Sequence, residues 1–304
     1  MNNPAIAGIV PVAGGVDPGQ LAGSSCFQPG SPIRATIMST VFLGIWRAFA
    51  VPFFCLIALI ENVITIPLLP RAKRVHARTE WLHRWSRFAS RVVGIRVTTN
   101  GSMPRSGLLV CNHLSYLDVI VLSSIQPCVF VAKRDVAAWP LFGWLARAAG
   151  TVFVDRENRF SSPAVVDLIR GAISGGSIVV LFPEGTSSDG STVLPFKSAL
   201  LEAAAQLRCP VATAAIAYEL NQGSVADEVC YWRDMTLVPH LLNLFFKHEI
   251  RAKYSFSPAK VRAGNRKEIA RELRDEIVSP SQRRALRWRF IPFFAKTRSA
   301  ACAS

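Results

Sequence analysis

The sequence predicts an α/β fold: a mostly parallel sheet flanked by helices and preceded by an N-terminal membrane-associated helical segment. Three observations carry that prediction. From about residue 95 to 220, short apolar runs alternate with helix-length stretches, the β-α-β-α order of a parallel sheet. Runs such as "GLLVCN" and "SIVVLFPEG" are apolar almost throughout, as buried strands are. Ahead of them an apolar run at 39–70 is followed by a basic one at 71–96.

Composition bounds the class. The 304 residues suffice for one large domain or two small ones. Half are hydrophobic, and 35 Lys and Arg against 20 Asp and Glu give a net charge of +15. An apolar, basic chain suits a surface of anionic lipid. Nucleic acid, the other usual partner of such charge, finds neither a zinc-finger spacing nor an aromatic-rich basic strand here. The seven cysteines form no CxxC pair, and Cys55, Cys111 and Cys230 sit in apolar runs. That is the pattern of buried reduced thiols, which places the catalytic part on the cytosolic side.

Residues 1–35, rich in Gly, Pro and Ser, read as a disordered leader without the basic start and apolar core of a signal peptide. Met38 can serve as an alternative initiator. In 39–70 the longest uncharged stretch is 13 residues, Ala48 to Ile60, short of the roughly 20 that span a bilayer. With Arg47 and Glu61 near the headgroups the run can cross once or dip in and return; a buried core helix is the alternative. Residues 71–96 carry eight Lys and Arg, one acid, and the interleaved Trp81 and Trp85, as an interfacial helix does; a solvated basic face is the plainer reading. Residues 36–94 are thus expected to anchor the chain and 95–260 to form the α/β domain.

Within that domain "GIRVTTNG", "GLLVCN", "PCVFVAK", "TVFVDR", "SIVVLFPEG" and "CPVATAAIAY" read as strands. "SYLDVIVLSSI", capped by Ser115, "AWPLFGWLARAAG", opened by its proline, "SSPAVVDLIRGAISGG" and "KSALLEAAAQLR" read as helices. "HEIRAKYSFSPAK" resembles an edge strand. In 261–304 a helix bearing Ile269, Leu273 and Ile277 on one stripe precedes a basic, aromatic tail.

Chemistry concentrates where strands end. On one continuous helix His113 and Asp118 lie about 140° apart and cannot touch. They meet only if His113 occupies the turn after "LLVC" and Asp118 the first turn of the next helix. The carboxylate then fixes the imidazole tautomer and leaves the other nitrogen as a base. Taken alone, the pair also fits a structural role. "FPEGTSS" brings Glu184, Gly185, Thr186 and Ser187 to another strand end, where a plain capped turn is the alternative. Arg156 in "GTVFVDR" and Lys133 in "FVAKR" supply cations suited to an anionic headgroup, or ordinary surface charge. GxSxG, GxxxxGK, GxGxxG and HExxH are all missing.

In order and spacing, "HLSYLD", "GTVFVDR", "FPEGTSS" and "CPVATAAIAY" with Pro210 resemble the four blocks of the glycerolipid acyltransferase family, typified by 1-acylglycerol-3-phosphate acyltransferases. The resemblance covers roughly residues 80–220. It implies an O-acyltransferase in membrane lipid synthesis. His113 would be the general base and Asp118 its orienter, while backbone amides near Glu184 and Gly185 would hold an oxyanion. Arg156 and Lys133 would hold the acceptor's phosphate. It further implies acyl-CoA or acyl carrier protein as donor, a lysolipid acceptor, no metal or bound cofactor, no nucleic acid, and a bacterial inner membrane. The implied acceptor is 1-acylglycerol-3-phosphate, giving phosphatidic acid.

One departure matters. Many members read EGTRS where this chain has Ser187, followed by Ser188 and Asp189. Losing a cation and gaining an acid suits a phosphomonoester less, which raises lyso-ornithine lipid as an alternative acceptor, met by hydrogen bonds from this Ser/Ser/Asp cluster. Two competing classes are a non-catalytic protein that binds anionic lipid and a lipid hydrolase. The hydrolase would need a serine near His113, and Ser115 is poorly aimed for that.

Overall fold

The computed structural model describes residues 32–154 and 163–279. Met1–Ser39 forms one unit, of which only the start of the first helix is described, and Thr40–Ser304 forms the other. Two long helices come first, α1 (Pro32–Leu68) and α2 (Arg71–Val93). There follow β1 (Ile95–Asn100), β2 (Gly107–Cys111), α3 (Leu117–Ile125), β3 (Cys128–Lys133), α4 (Phe142–Ala148), β4 (Val152–Val154), α5 (Pro163–Ser174) and β5 (Ile178–Leu181). The remaining elements are α6 (Glu202–Leu207), β6 (Pro210–Leu220), α7 (Val225–Glu228), α8 (Leu237–Phe245), β7 (Ile250–Phe256), β8 (Lys260–Val261) and α9 (Arg266–Val278).

The sheet runs β1-β7-β6-β2-β5-β3-β4, with β8 also on β6. From β6 to β4 all neighbours are parallel, so the carboxyl ends of β2, β3 and β5 emerge along one edge. β2 is buried along its length, and its alternation splits the core between the two faces of the sheet. Leu109 and Cys111 join Leu117, Ile216 and Tyr254 on one face; Leu108 and Val110 join Ile169, Leu201 and Leu273 on the other. Ile269, Leu273 and Ile277 of α9 are all buried, and the helix opens on a capping box between Asn265 and Glu268.

Three expectations are corrected. β7 is no edge strand: it lies between β1, to which it is parallel, and β6, to which it is antiparallel. Its basic positions imitated an edge because Arg251 and Lys253 alternate with buried Ile250, Ala252 and Tyr254, and they pair with Glu249 and Glu219. α4 begins at Phe142 rather than at the proline, since the Phe142 amide closes a tight turn on Pro140 O and Leu141 takes a φ of +60°.

The third correction concerns the amphipathic pair α1–α2. Segment Ile37–Leu68 is long and apolar enough to cross a membrane. Yet Arg47 lies 4 % exposed, its guanidinium donating to Val92 O (2.8 Å), Phe245 O (3.0 Å) and Lys247 O. These carbonyls close α2 and α8, so one cation caps two helix ends. Trp81 donates its indole N–H to Ala58 O (3.0 Å), Trp85 to Glu61 Oε2 (2.8 Å), and Asn62 to Ala148 O (3.3 Å). Glu61 is also paired with Arg84. Arg47 and Glu61 therefore face protein, not headgroups, and both tryptophans belong to a helix–helix interface. The opposite face of α1 leaves Phe42, Phe49, Phe53, Leu56, Ile60 and Val63 exposed, a single stripe at helical spacing.

Of the leader expected at 1–35, residues 32–35 instead open α1, and the rest, up to residue 31, lies outside the described residues, as does the basic tail from residue 280.

Candidate active site

The turn after β2 is fastened before it does anything else. Asn112 extends the strand with its side chain: Oδ1 accepts from Ile216 N (2.7 Å) and Nδ2 donates to Ile216 O (3.0 Å), imitating a ladder pair with β6. His113 follows in the loop, and Asp118 stands in the first turn of α3, the arrangement expected from the sequence. Its fully buried carboxylate collects four donors. Oδ2 accepts from His113 Nδ1 (2.8 Å), Leu114 N (2.7 Å) and Ser115 N (3.1 Å), and Oδ1 accepts from the Tyr218 hydroxyl (2.6 Å). With Nδ1–H committed to Asp118, Nε2 carries the available lone pair. The imidazole stacks on Phe182, with centroids 4.2 Å apart and planes at 22°.

Ser115 is not the cap of α3. Its hydroxyl is buried with no hydrogen-bond partner among the described residues. Asp118 instead accepts from the Leu114 and Ser115 amides of the turn before α3, and its charge in the first turn meets the positive end of the helix.

The "FPEGTSS" turn braces this pair. Glu184 is 2 % exposed; Oε1 accepts from His113 N (3.0 Å) and Oε2 from Leu194 N (3.2 Å). Burial pushes its carboxyl up to about 7, opposed by those two bonds. Its carboxyl group points at backbone, so the side chain holds the turn. Gly185 takes a φ of +67° and donates its amide to Phe182 O (3.0 Å), so that amide is spent on the turn and not held for an oxyanion. That positive φ is what favours glycine here, since a Cβ would meet first the movable end of Lys197, 2.9 Å away at Nζ. Ser187 donates its hydroxyl to Tyr231 O. The Ser188 amide donates to His113 O (3.0 Å), and Asp189 Oδ1 accepts from Ser191 N (3.0 Å) and Ser191 Oγ (2.8 Å). The Ser/Ser/Asp cluster is thus hydrogen-bonded within the fold, and Ser187 also borders the pocket beside His113.

Beside His113 opens a pocket of about 460 Å³. Lys133, Gly185, Thr186 and Ser187 border it, with an apolar wall that includes Phe130, Val131, Trp139 and Phe182. Arg156 lies outside the described residues. Sequence reasoning missed the part of the wall formed by Tyr231, Trp232 and Arg233 between β6 and α8. It also missed Tyr218, and His240 behind Tyr116, whose hydroxyl donates to His240 Nδ1 (2.9 Å) while Nε2 donates to Cys230 O (3.0 Å). Burial raises the Tyr116 and Tyr218 hydroxyls and lowers His240, so all three are held neutral. The one sequence signal for that wall was the compact "CYWRD" at 230–234, which belongs to no block of the family.

An oriented imidazole base at the edge of an apolar pocket can take a proton from a hydroxyl whose lipid chain lies in that pocket. The family pattern described as "Acyltransferase" matches residues 94–217. A lyso-ornithine lipid O-acyltransferase from Rhizobium meliloti is 39% identical over 214 residues, 65% of this chain and 73% of that protein. A second of the same description, from Brucella abortus, is 36% identical over 65% of this chain and 81% of its own length. A 1-acyl-sn-glycerol-3-phosphate acyltransferase from Neisseria meningitidis is 32% identical over 44% of this chain and 56% of its own. In fold, the crystal structure of the 1-acyl-sn-glycerophosphate acyltransferase PlsC from Thermotoga maritima matches with a TM-score of 0.56 at 18% identity, covering 84% of this chain and 99% of that one.

Proposed function

The chain belongs to the acyltransferase family, and on that premise we propose that it is a lysolipid O-acyltransferase of membrane lipid synthesis with His113 as its general base. The single observation that carries the reading is the 2.8 Å bond from His113 Nδ1 to buried Asp118 at the edge of an apolar pocket. His113 Nε2 takes the proton of the acceptor hydroxyl as its oxygen attacks the carbonyl carbon of an acyl thioester. The tetrahedral intermediate collapses with release of thiolate, which recovers the proton from the imidazolium, leaving an ester and a free thiol. Asp118 balances the imidazolium charge in between. The exchange is redox-neutral and calls for no bound cofactor beyond the donor, acyl-CoA or acyl carrier protein.

Lyso-ornithine lipid is the acceptor we favour. Relatives of that description align over most of their length, and the turn carries Ser187 where a phosphate-binding arginine would stand. The second reading is 1-acylglycerol-3-phosphate, supported by Lys133 in the pocket wall and by the Neisseria relative; Arg156 would add a second cation. The membrane supplies either acceptor. The exposed stripe of α1 enters one leaflet of the inner membrane from the cytosolic side, beside exposed Arg71, Lys73, Arg87 and Arg91 of α2.

Acyl transfer measured with both acceptors is the test. Turnover of lyso-ornithine lipid is expected, and H113A should lower kcat about a thousandfold or more with its melting temperature kept. A wild-type protein inactive on both lipids, or an H113A variant as active as wild type, would sink the reading.

A further inference from the structure

The segment 230–233 is held from every side, although no family block includes it. Tyr231 N donates to Leu114 O inside the catalytic turn (2.9 Å), and Cys230 N to Val225 O (2.9 Å). Ser187, at the position where the cation is missing, donates to Tyr231 O. His240 Nε2 donates to Cys230 O (3.0 Å), and the Trp232 indole N–H to Ala226 O (2.9 Å). This fastening ends in Arg233, whose φ of +52° is a left-handed conformation that costs a non-glycine residue about 1 kcal/mol. Such a conformation persists where the surroundings hold it, and the three residues before Arg233 are each fastened by a hydrogen bond. The exposed guanidinium lies 3.9 Å over the Trp232 ring, and both residues line the pocket that His113 borders. Hydrogen bonds from Ser191, with the charge of Arg233 beside them, hold the Asp189 carboxyl below its ordinary range, and among the described residues Arg233 makes no direct ion-pair contact.

We infer that Arg233 is the acceptor-recognition cation of this chain, binding the anionic group of the lysolipid headgroup while the hydroxyl to be acylated reaches His113. The inference rests on the acyltransferase reading above and deepens it. Ser187 has not simply lost a cation: its hydroxyl is bonded to Tyr231, two residues before an arginine that borders the same pocket. Guanidinium presents two parallel N–H donors to a carboxylate or a phosphate alike, so the shared chemistry is a planar or tetrahedral oxyanion at the pocket mouth.

The experiment uses the full chain in nanodiscs, with lyso-ornithine lipid and 1-acylglycerol-3-phosphate as acceptors. R233A and R233G are expected to raise the acceptor KM about tenfold or more while the donor KM stays within about twofold. R233K should recover part of the loss. R233G also relieves the left-handed backbone, so its melting temperature should equal or exceed that of wild type, an outcome that a merely structural arginine would not give. The acceptor with the larger KM change identifies the source of the anion, carboxylate or phosphate. An unchanged acceptor KM in R233G, or a fall in melting temperature with donor and acceptor KM altered equally, overturns the inference and leaves the acyltransferase reading standing. Wild-type inactivity on both lipids overturns both.

Discussion

Four hydrogen bonds converge on the Asp118 carboxylate, and its donors divide the labour between chemistry and architecture. His113 is the reactive partner, Leu114 and Ser115 lend the amides of the turn, and Tyr218 fills the second oxygen. Glu184 does for the turn's first amide what Asp118 does for the next two, but without enough donors to offset its burial. Its folded pKa of about 7 stands above the ordinary 4.5, so the folded protein binds the extra proton between those values. Stability from this group is therefore fully present below about pH 4.5 and is lost as pH rises through about 7. Thermal melts from pH 5 to 8 should show a decline in wild type that flattens in E184Q, even if the variant is less stable throughout. An equally steep decline in E184Q would refute that account. At this scale His113 and Asp118 were legible because they lie on one local turn. Tyr218 was not, because it is one position of an apolar strand that meets Asp118 only after β6 pairs with β2. Trp232 and Arg233 escaped for a related reason: their placement depends on Ser187 and His240, remote in sequence.

Among the elements, those buried on both faces were the easiest to read. β2, β5 and β6 are apolar nearly throughout, a signal that survives without neighbours. α7 and α8 were missed; the first is a single turn, and the second buries only part of its length. α1 shows how an element can satisfy the test for a span and still be committed elsewhere. The face carrying Arg47, Ala58, Glu61 and Asn62 is bonded to α2, to the end of α8 and to Ala148 of α4. R47M keeps the volume but leaves three carbonyls unserved, and should cost about 3 kcal/mol in denaturant unfolding in detergent. F49S, on the exposed face of the same helix, should change stability by less than about 0.5 kcal/mol. Equal effects of the two would show that α1 is not docked as described.

Across the whole molecule, apolar surface and positive charge sit on the same N-terminal helices. Phe49 is 76 % exposed and Phe53 59 %, a display that water penalises by roughly 2 kcal/mol per side chain and a bilayer does not. The net charge of +15 then favours anionic lipid. Co-sedimentation should show wild type bound to vesicles of anionic lipid, more weakly at high salt, and F49D/F53D largely released with its melting temperature retained. Retention of the double variant on vesicles would assign binding to another surface. Composition pointed to an anionic lipid surface, but which residues of α1 stay exposed depended on the pairing of α1 with α2. That pairing has a consequence for anyone seeking a soluble form of the enzyme. Trimming the chain after Leu68 would remove the greasy stripe, but it would also strip the cover from Trp81 and leave two helix ends without their cation. The shortened protein would exchange one sticky face for another, whereas polar substitutions along the stripe would leave the clasp intact.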